Sequence, residues 1–167
     1  MRIIAAMTFA VALTAATSSI VALAQPHPSQ HHGHRHEASR GTRGPDTREL
    51  VKFPPALAEA TLANMRDHLQ TLQQIQEHLG MGHADKAAKI AETQLGMSSL
   101  GLHGAAEVSK YMPQGMQQAG SAMHRAASRF AIAAQDADVT GDMKPVFAAL
   151  AEITGQCVGC HAGYRLK

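Results

Sequence analysis

Both cysteines of this 167-residue chain fall in its final stretch, QCVGCHAGYRLK, and a histidine directly follows the second. On a helix, Cys157 and Cys160 are i and i+3, and Cys157 and His161 are i and i+4, so two thiols and an imidazole project from one face. Four chemistries use such residues. A thioredoxin-type dithiol belongs at a helix N-terminus after a strand, where the dipole stabilises the thiolate, whereas this motif ends a helix with no strand before it. A zinc site needs a second ligand pair at characteristic spacing, and the chain has no further cysteines. A structural disulfide suits an exported protein, but C-x-x-C on a helix fits bridge geometry poorly; it stays as the alternative. The fourth is covalent attachment of haem, for which C-x-x-C-H is the signature. There the two thiols add across porphyrin vinyl groups and His161 is the proximal iron ligand.

What must position the motif is helical. From Phe53 onward no strand-like alternation stands out, and 3.6-residue periods recur. PPALAEATLANMRDHLQTLQQIQEHLG opens on prolines suited to a helix start and stops at Gly80, with an apolar stripe through Leu62, Met65, Leu69, Leu72 and Leu79. ADKAAKIAETQLGMSSLGLHG predicts a second helix, irregular toward its end because of Gly96, Gly101 and Gly104. The third begins at Pro113 and aligns Met116, Ala119, Met123, Ala127, Phe130 and Ala134. The last, DMKPVFAALAEITGQCVGCHAGYRLK, runs its stripe through Val146/Phe147, Leu150, Ile153/Thr154 and Cys157 to Cys160/His161. Four amphipathic helices with short connections predict an all-α fold, an antiparallel four-helix bundle with the haem attachment site at its C-terminus. The starts of helices 1 and 3 and the end of helix 4 then share one end.

The N-terminus, MRIIAAMTFAVALTAATSSIVALAQ, places Arg2 before an apolar, small-residue run that closes on an A-x-A site. This predicts a signal peptide over 1–24 and a periplasmic protein; the competing reading is a membrane anchor, since the run is long enough to span. Residues 25–49, rich in Pro, Gly, Ser, His and Arg, lack an apolar period and predict a flexible tail. In it, His27, His31, His32, His34 and His36 are able to capture zinc, copper or nickel. The remaining 50–167 form one domain. The formal charge is +2 with histidine neutral, and no dense basic block suggests nucleic acid. With no tryptophan and 4% aromatic residues, the core must be filled by Leu, Met and Ala, or by a group the sequence does not encode, such as a porphyrin.

An exported helical chain ending CVGCHAGYR resembles class II cytochrome c, the cytochrome c-prime group and its low-spin relatives. The resemblance covers roughly residues 50–167 and omits the histidine-rich tail. It implies one covalent haem c per chain and a distal residue on helix 1 at the place of Met65. That residue is an iron ligand in low-spin relatives and a non-coordinating apolar residue in cytochromes c-prime. Competitors for the distal position are His68 and Met116, with Met123 and His124 deeper. The resemblance also puts Arg165, i+4 from His161, beside the proximal ligand, and Tyr164 against the macrocycle. Arg165 would alternatively complement the helix dipole; Arg125 and Arg129 are propionate candidates.

These residues predict electron transfer by a periplasmic c-type cytochrome with redox partner proteins. The alternative is a five-coordinate haem protein binding nitric oxide or carbon monoxide; metal handling by the tail is a third. No catalytic carboxylate pair, nucleophile–base pattern or phosphate loop appears, so no enzyme is predicted, nor any membrane contact after signal cleavage. The resemblance further implies homodimers through helices 1 and 2.

Overall fold

The computed structural model describes residues 44–167. The expected leader over 1–24, and the tail histidines, lie outside the described residues. The described residues are mostly helical, with five helices and one small two-stranded sheet among them. In order these are β1 (Glu49–Val51), α1 (Pro55–Gly80), α2 (Ala84–Gln94), α3 (Ala105–Val108), α4 (Gln114–Thr140), α5 (Lys144–Gly163) and β2 (Tyr164–Leu166). Single 3-10 turns occupy Met97–Ser99 and Ser109–Tyr111. No described helix is long and apolar enough to cross a membrane.

The long helices begin and end where local chemistry dictates. Pro54 and Pro113 flank the starts of α1 and α4, where a missing N–H costs nothing. α1 stops as Gly82 takes φ +75 and His83 N–H returns to the His78 carbonyl at 2.8 Å, a glycine-dependent cap. Gly141, at φ +75, ends α4 in the same way. The predicted second helix survives only to Gln94. Beyond it the glycines break the chain into short turns, as their spacing foretells.

α2 buries Ala84, Ala87, Ala88 and Ala91, small side chains that let neighbouring backbones approach. Close packing runs α1 on α2, α2 on α4 and α4 on α5, while α1 and α5 share little backbone contact. The dry core gathers Leu72, Ile75 and Leu79 of α1, Met123 to Ala137 of α4, and Val146, Ala149 and Ile153 of α5 around the fully buried Phe130.

Two short strands went unforeseen, because three residues each are too few to show alternation. β1 and β2 pair in parallel, Glu49 with Tyr164, Leu50 with Arg165 and Val51 with Leu166. This pairing brings the lead-in to α1 against the end of α5. It also corrects the domain boundary at 50. Glu49 belongs to a strand, and Arg48 and Asp46 make contacts with the C-terminal segment, so the folded body starts before that position. The beginning of α4 is at the same place. Gly115 lies directly under the Tyr164 hydroxyl, where a Cβ would collide with it.

Candidate functional site

α5 is continuous through Cys157, Cys160 and His161, so the three stand on one helical face, as their spacing requires. Both cysteines are free and half-buried. The Cys157 thiol donates to the Ile153 carbonyl at 3.5 Å and packs on the edge of the core. Burial pushes both thiols above their ordinary pKa, and the neighbouring Cys157 adds to the rise at Cys160. They are therefore protonated at neutral pH, unlike the activated thiolate of a dithiol oxidoreductase. His161 is exposed.

The end of this helix is clasped from outside. Arg48 donates from Nη1 to the His161 carbonyl at 3.4 Å and pairs with Asp46 at 2.8 Å. The Asp46 carboxyl is held down at about 2, first by its hydrogen bonds from Arg48. Arg165 is not on the ligand's side of the helix as i+4 spacing suggested, because Gly163 ends α5 and the chain turns extended. Its Nε lies 3.4 Å from Asp46, an ion pair without hydrogen-bond alignment, which leaves that buried N–H unpartnered. Tyr164 is half-buried above Gly115.

α1 departs from expectation most clearly. Its lower half buries Leu72 and Leu79 as expected, and with them Ile75, which the stripe does not include. In its upper half the inward face is Ala58, Thr61, His68 and Thr71, with Ala58, Thr61 and Thr71 buried and His68 partly so. The apolar stripe lies one residue further round, and Leu62, Met65 and Leu69 are 45%, 37% and 69% exposed. On α5, Val158 is exposed as well. Among the competitors for the distal position, Met116 and Met123 are buried in α4. Arg129 is paired with Glu152 at 2.7 Å, which engages it away from the motif.

His68, partly buried, stands among other imidazoles. Its ring sits 4.6 Å from that of His103 and 6.0 Å from that of His124, centroid to centroid. Burial, and then these two imidazoles, push His68 down to about 4; burial also lowers His124. His124 Nδ1 donates to the Leu95 carbonyl at 2.7 Å, and His103 Nε2 to the Gln94 carbonyl at 3.0 Å. Sequence reasoning passed over His103, which lies in a glycine-rich connection without period. The one available signal was its company, GLHG following a helix that carries no other imidazole.

Among the described residues, no three His, Cys, Asp or Glu side chains are grouped to hold a metal ion. A haem iron needs no such group, since the protein supplies at most two axial ligands to it. The residues present suit a porphyrin: paired thiols, an exposed adjacent imidazole, and an uncovered apolar face bearing a methionine. Comparison with models of protein families, with curated proteins and with solved structures finds no match for this chain.

Proposed function

We propose that this chain is an exported, periplasmic c-type cytochrome, an antiparallel bundle of α1, α2, α4 and α5 that carries electrons through one covalent haem c. The observation that carries the reading is the uncovered stripe Leu62, Met65 and Leu69 on α1, on a helix whose start is tied by β1–β2 pairing to the end of the helix bearing C-x-x-C-H. By helical rise, Met65 is about 15 Å below the start of α1 and Cys157 about 9 Å below the end of α5. A flat apolar group anchored on α5 would have room beside α1, since the two helices share little backbone contact.

When bound, the haem supplies an iron that alternates between ferric and ferrous states. Cys157 and Cys160 would hold the group as thioethers, and His161 would offer a ring nitrogen to the iron. Met65 would offer a sulfur, a soft donor that would raise the potential relative to a second nitrogen. Leu62 and Leu69 would lie against the group and exclude water beside Met65. Arg48 holds the last helical turn through the His161 carbonyl, and Tyr164 seated over Gly115 keeps that turn against α4.

The test is the mass and absorption spectrum of the exported protein. One haem should be covalently present, should persist by a single thioether in Cys157→Ser or Cys160→Ser, and should be lost covalently in the double variant. A sulfur-to-iron absorption band should vanish in Met65→Ala. A bare polypeptide mass would end the proposal. A haem-loaded protein without the sulfur band would favour the second reading, binding of nitric oxide or carbon monoxide. That reading draws on the side chains flanking Met65, both leucines without a donor for bound oxygen.

A further inference from the structure

The hydrogen-bonding around His68 and His103 does not close. The two Nε2 atoms are 3.4 Å apart, and His103 Nε2 is also 3.0 Å from the Gln94 carbonyl oxygen. A carbonyl only accepts, so His103 must direct its one Nε2 hydrogen at Gln94. That hydrogen is then not aimed at His68, and a protonated His103 Nε2 has no lone pair to accept one in return. Two imidazole nitrogens and one carbonyl oxygen thus meet at short range, and the hydrogen of His103 Nε2 satisfies only its contact with Gln94. The separation of the nitrogens is that of two ligands on a tetrahedral ion. With metal–nitrogen bonds of about 2.0–2.1 Å, they stand about 3.3–3.4 Å apart.

We infer that His68 Nε2, His103 Nε2 and the Gln94 main-chain oxygen form a site for zinc or another borderline divalent cation, distinct from the C-x-x-C-H motif. Imidazole nitrogen suits such ions. Neighbouring polar groups hold these atoms in place. Asn64 Nδ2 donates to the His103 carbonyl at 3.2 Å and so holds the loop against α1. Thr71 Oγ1 donates to the Gln94 side chain at 3.0 Å and fixes the end of α2. A polar cleft of about 390 Å³, lined by Asn64, Asp67, Thr71, Gln94 and His103, opens the site to solvent, and the Asp67 carboxylate there favours an entering cation. Water completes the coordination from the cleft. The ion would join α1, the end of α2 and the 95–104 connection, three segments otherwise linked there by polar contacts.

Thermal unfolding of the full exported chain with added zinc chloride tests this and separates the site from the histidine-rich tail. An ion held only by the folded state raises the midpoint, whereas one held equally by folded and unfolded chain does not. The midpoint should rise by about 8 °C at a hundredfold excess over the half-saturating concentration. The rise should be lost in His68→Gln and in His103→Gln. It should persist when His27, His31, His32, His34 and His36 are all changed to Gln, although total zinc bound falls. If His68→Gln fails to fold, His103→Gln decides alone, since its ring is on a surface connection. No rise in the parent chain, or a full rise in His103→Gln, overturns the inference. The latter outcome would assign the ion to a different site of the folded body.

Discussion

Ile75 and Leu69 lie on α1 less than two turns apart, yet the first is fully buried and the second is 69% exposed. On α5, Val146, Ala149 and Ile153 are buried while Phe147 and Val158 are exposed. Both halves are apolar enough to form a core, so the difference is in what covers them. Where α1, α2, α4 and α5 carry Ile, Leu, Phe and small Ala side chains, they close on one another at the density of a protein interior. Toward the C-x-x-C-H end, α1 turns Thr61, His68 and Thr71 inward, and its leucines and methionine face outward. A helix keeps such an outward stripe when something outside the helix set is to lie on it.

The packed half is the easier of the two to break. Phe130→Ala removes the largest fully buried side chain and should cost about 3–5 kcal/mol in urea unfolding, with or without haem. A loss below about 1 kcal/mol would mean that the two halves are equally loose, and the contrast would disappear.

The imidazoles where the halves meet give a smaller, pH-dependent effect. His68 is held at about 4 in the folded chain by burial and by His103 and His124, against an ordinary value of 6.5. With its folded value depressed, the stability it allows is whole above 6.5. It drains as the pH falls, because the unfolded chain takes up the proton first, and the loss is complete near 4. Urea midpoints measured from pH 7 to 4.5, with chelator present, should fall by an amount equivalent to about 2 kcal/mol after allowance for partial solvent screening. His68→Gln should flatten most of that slope; a slope unchanged in this variant would place the acid sensitivity elsewhere. Asp46, at about 2, loses its pairing only below this window.

Much of this arrangement is legible in the residues alone. Pro54 and Pro55, the glycines at 80 and 82, and Pro113 mark helix limits by backbone chemistry that acts locally, and the structure puts α1 and α4 there. Gly96, Gly101 and Gly104 foretell the break after α2 for the same reason. The inward face of upper α1 is another matter. Periodicity finds an apolar stripe but not its occupant, and the true inward face, one residue round, is made of Thr and His that hydrophobic patterning passes over. Arg165 misleads because the i+4 spacing is carried past Gly163, where α5 ends and the chain becomes extended. The pairing of β1 with β2 depends on two segments more than a hundred positions apart, and His103 depends on a loop conformation. Such long-range outcomes have no local imprint.

The smallest effect is the one that bears most directly on the uncovered half. In the haem-free chain Leu69 touches mainly solvent, so Leu69→Ala should change stability by no more than about 0.5 kcal/mol. If a porphyrin lies on the Leu62, Met65 and Leu69 face, the same substitution in the loaded protein removes buried methyl groups and should cost about 2 kcal/mol. The informative quantity is the difference between the two states, measured by urea unfolding of both forms, because errors common to both cancel. Equal small losses would leave the stripe uncovered in the loaded protein and place the haem elsewhere. Equal large losses would mean that the stripe is already buried without haem, by another copy of the chain, and a dependence of the unfolding midpoint on protein concentration would then appear. Only a loss confined to the loaded form assigns the apolar face of upper α1 to the group carried on α5.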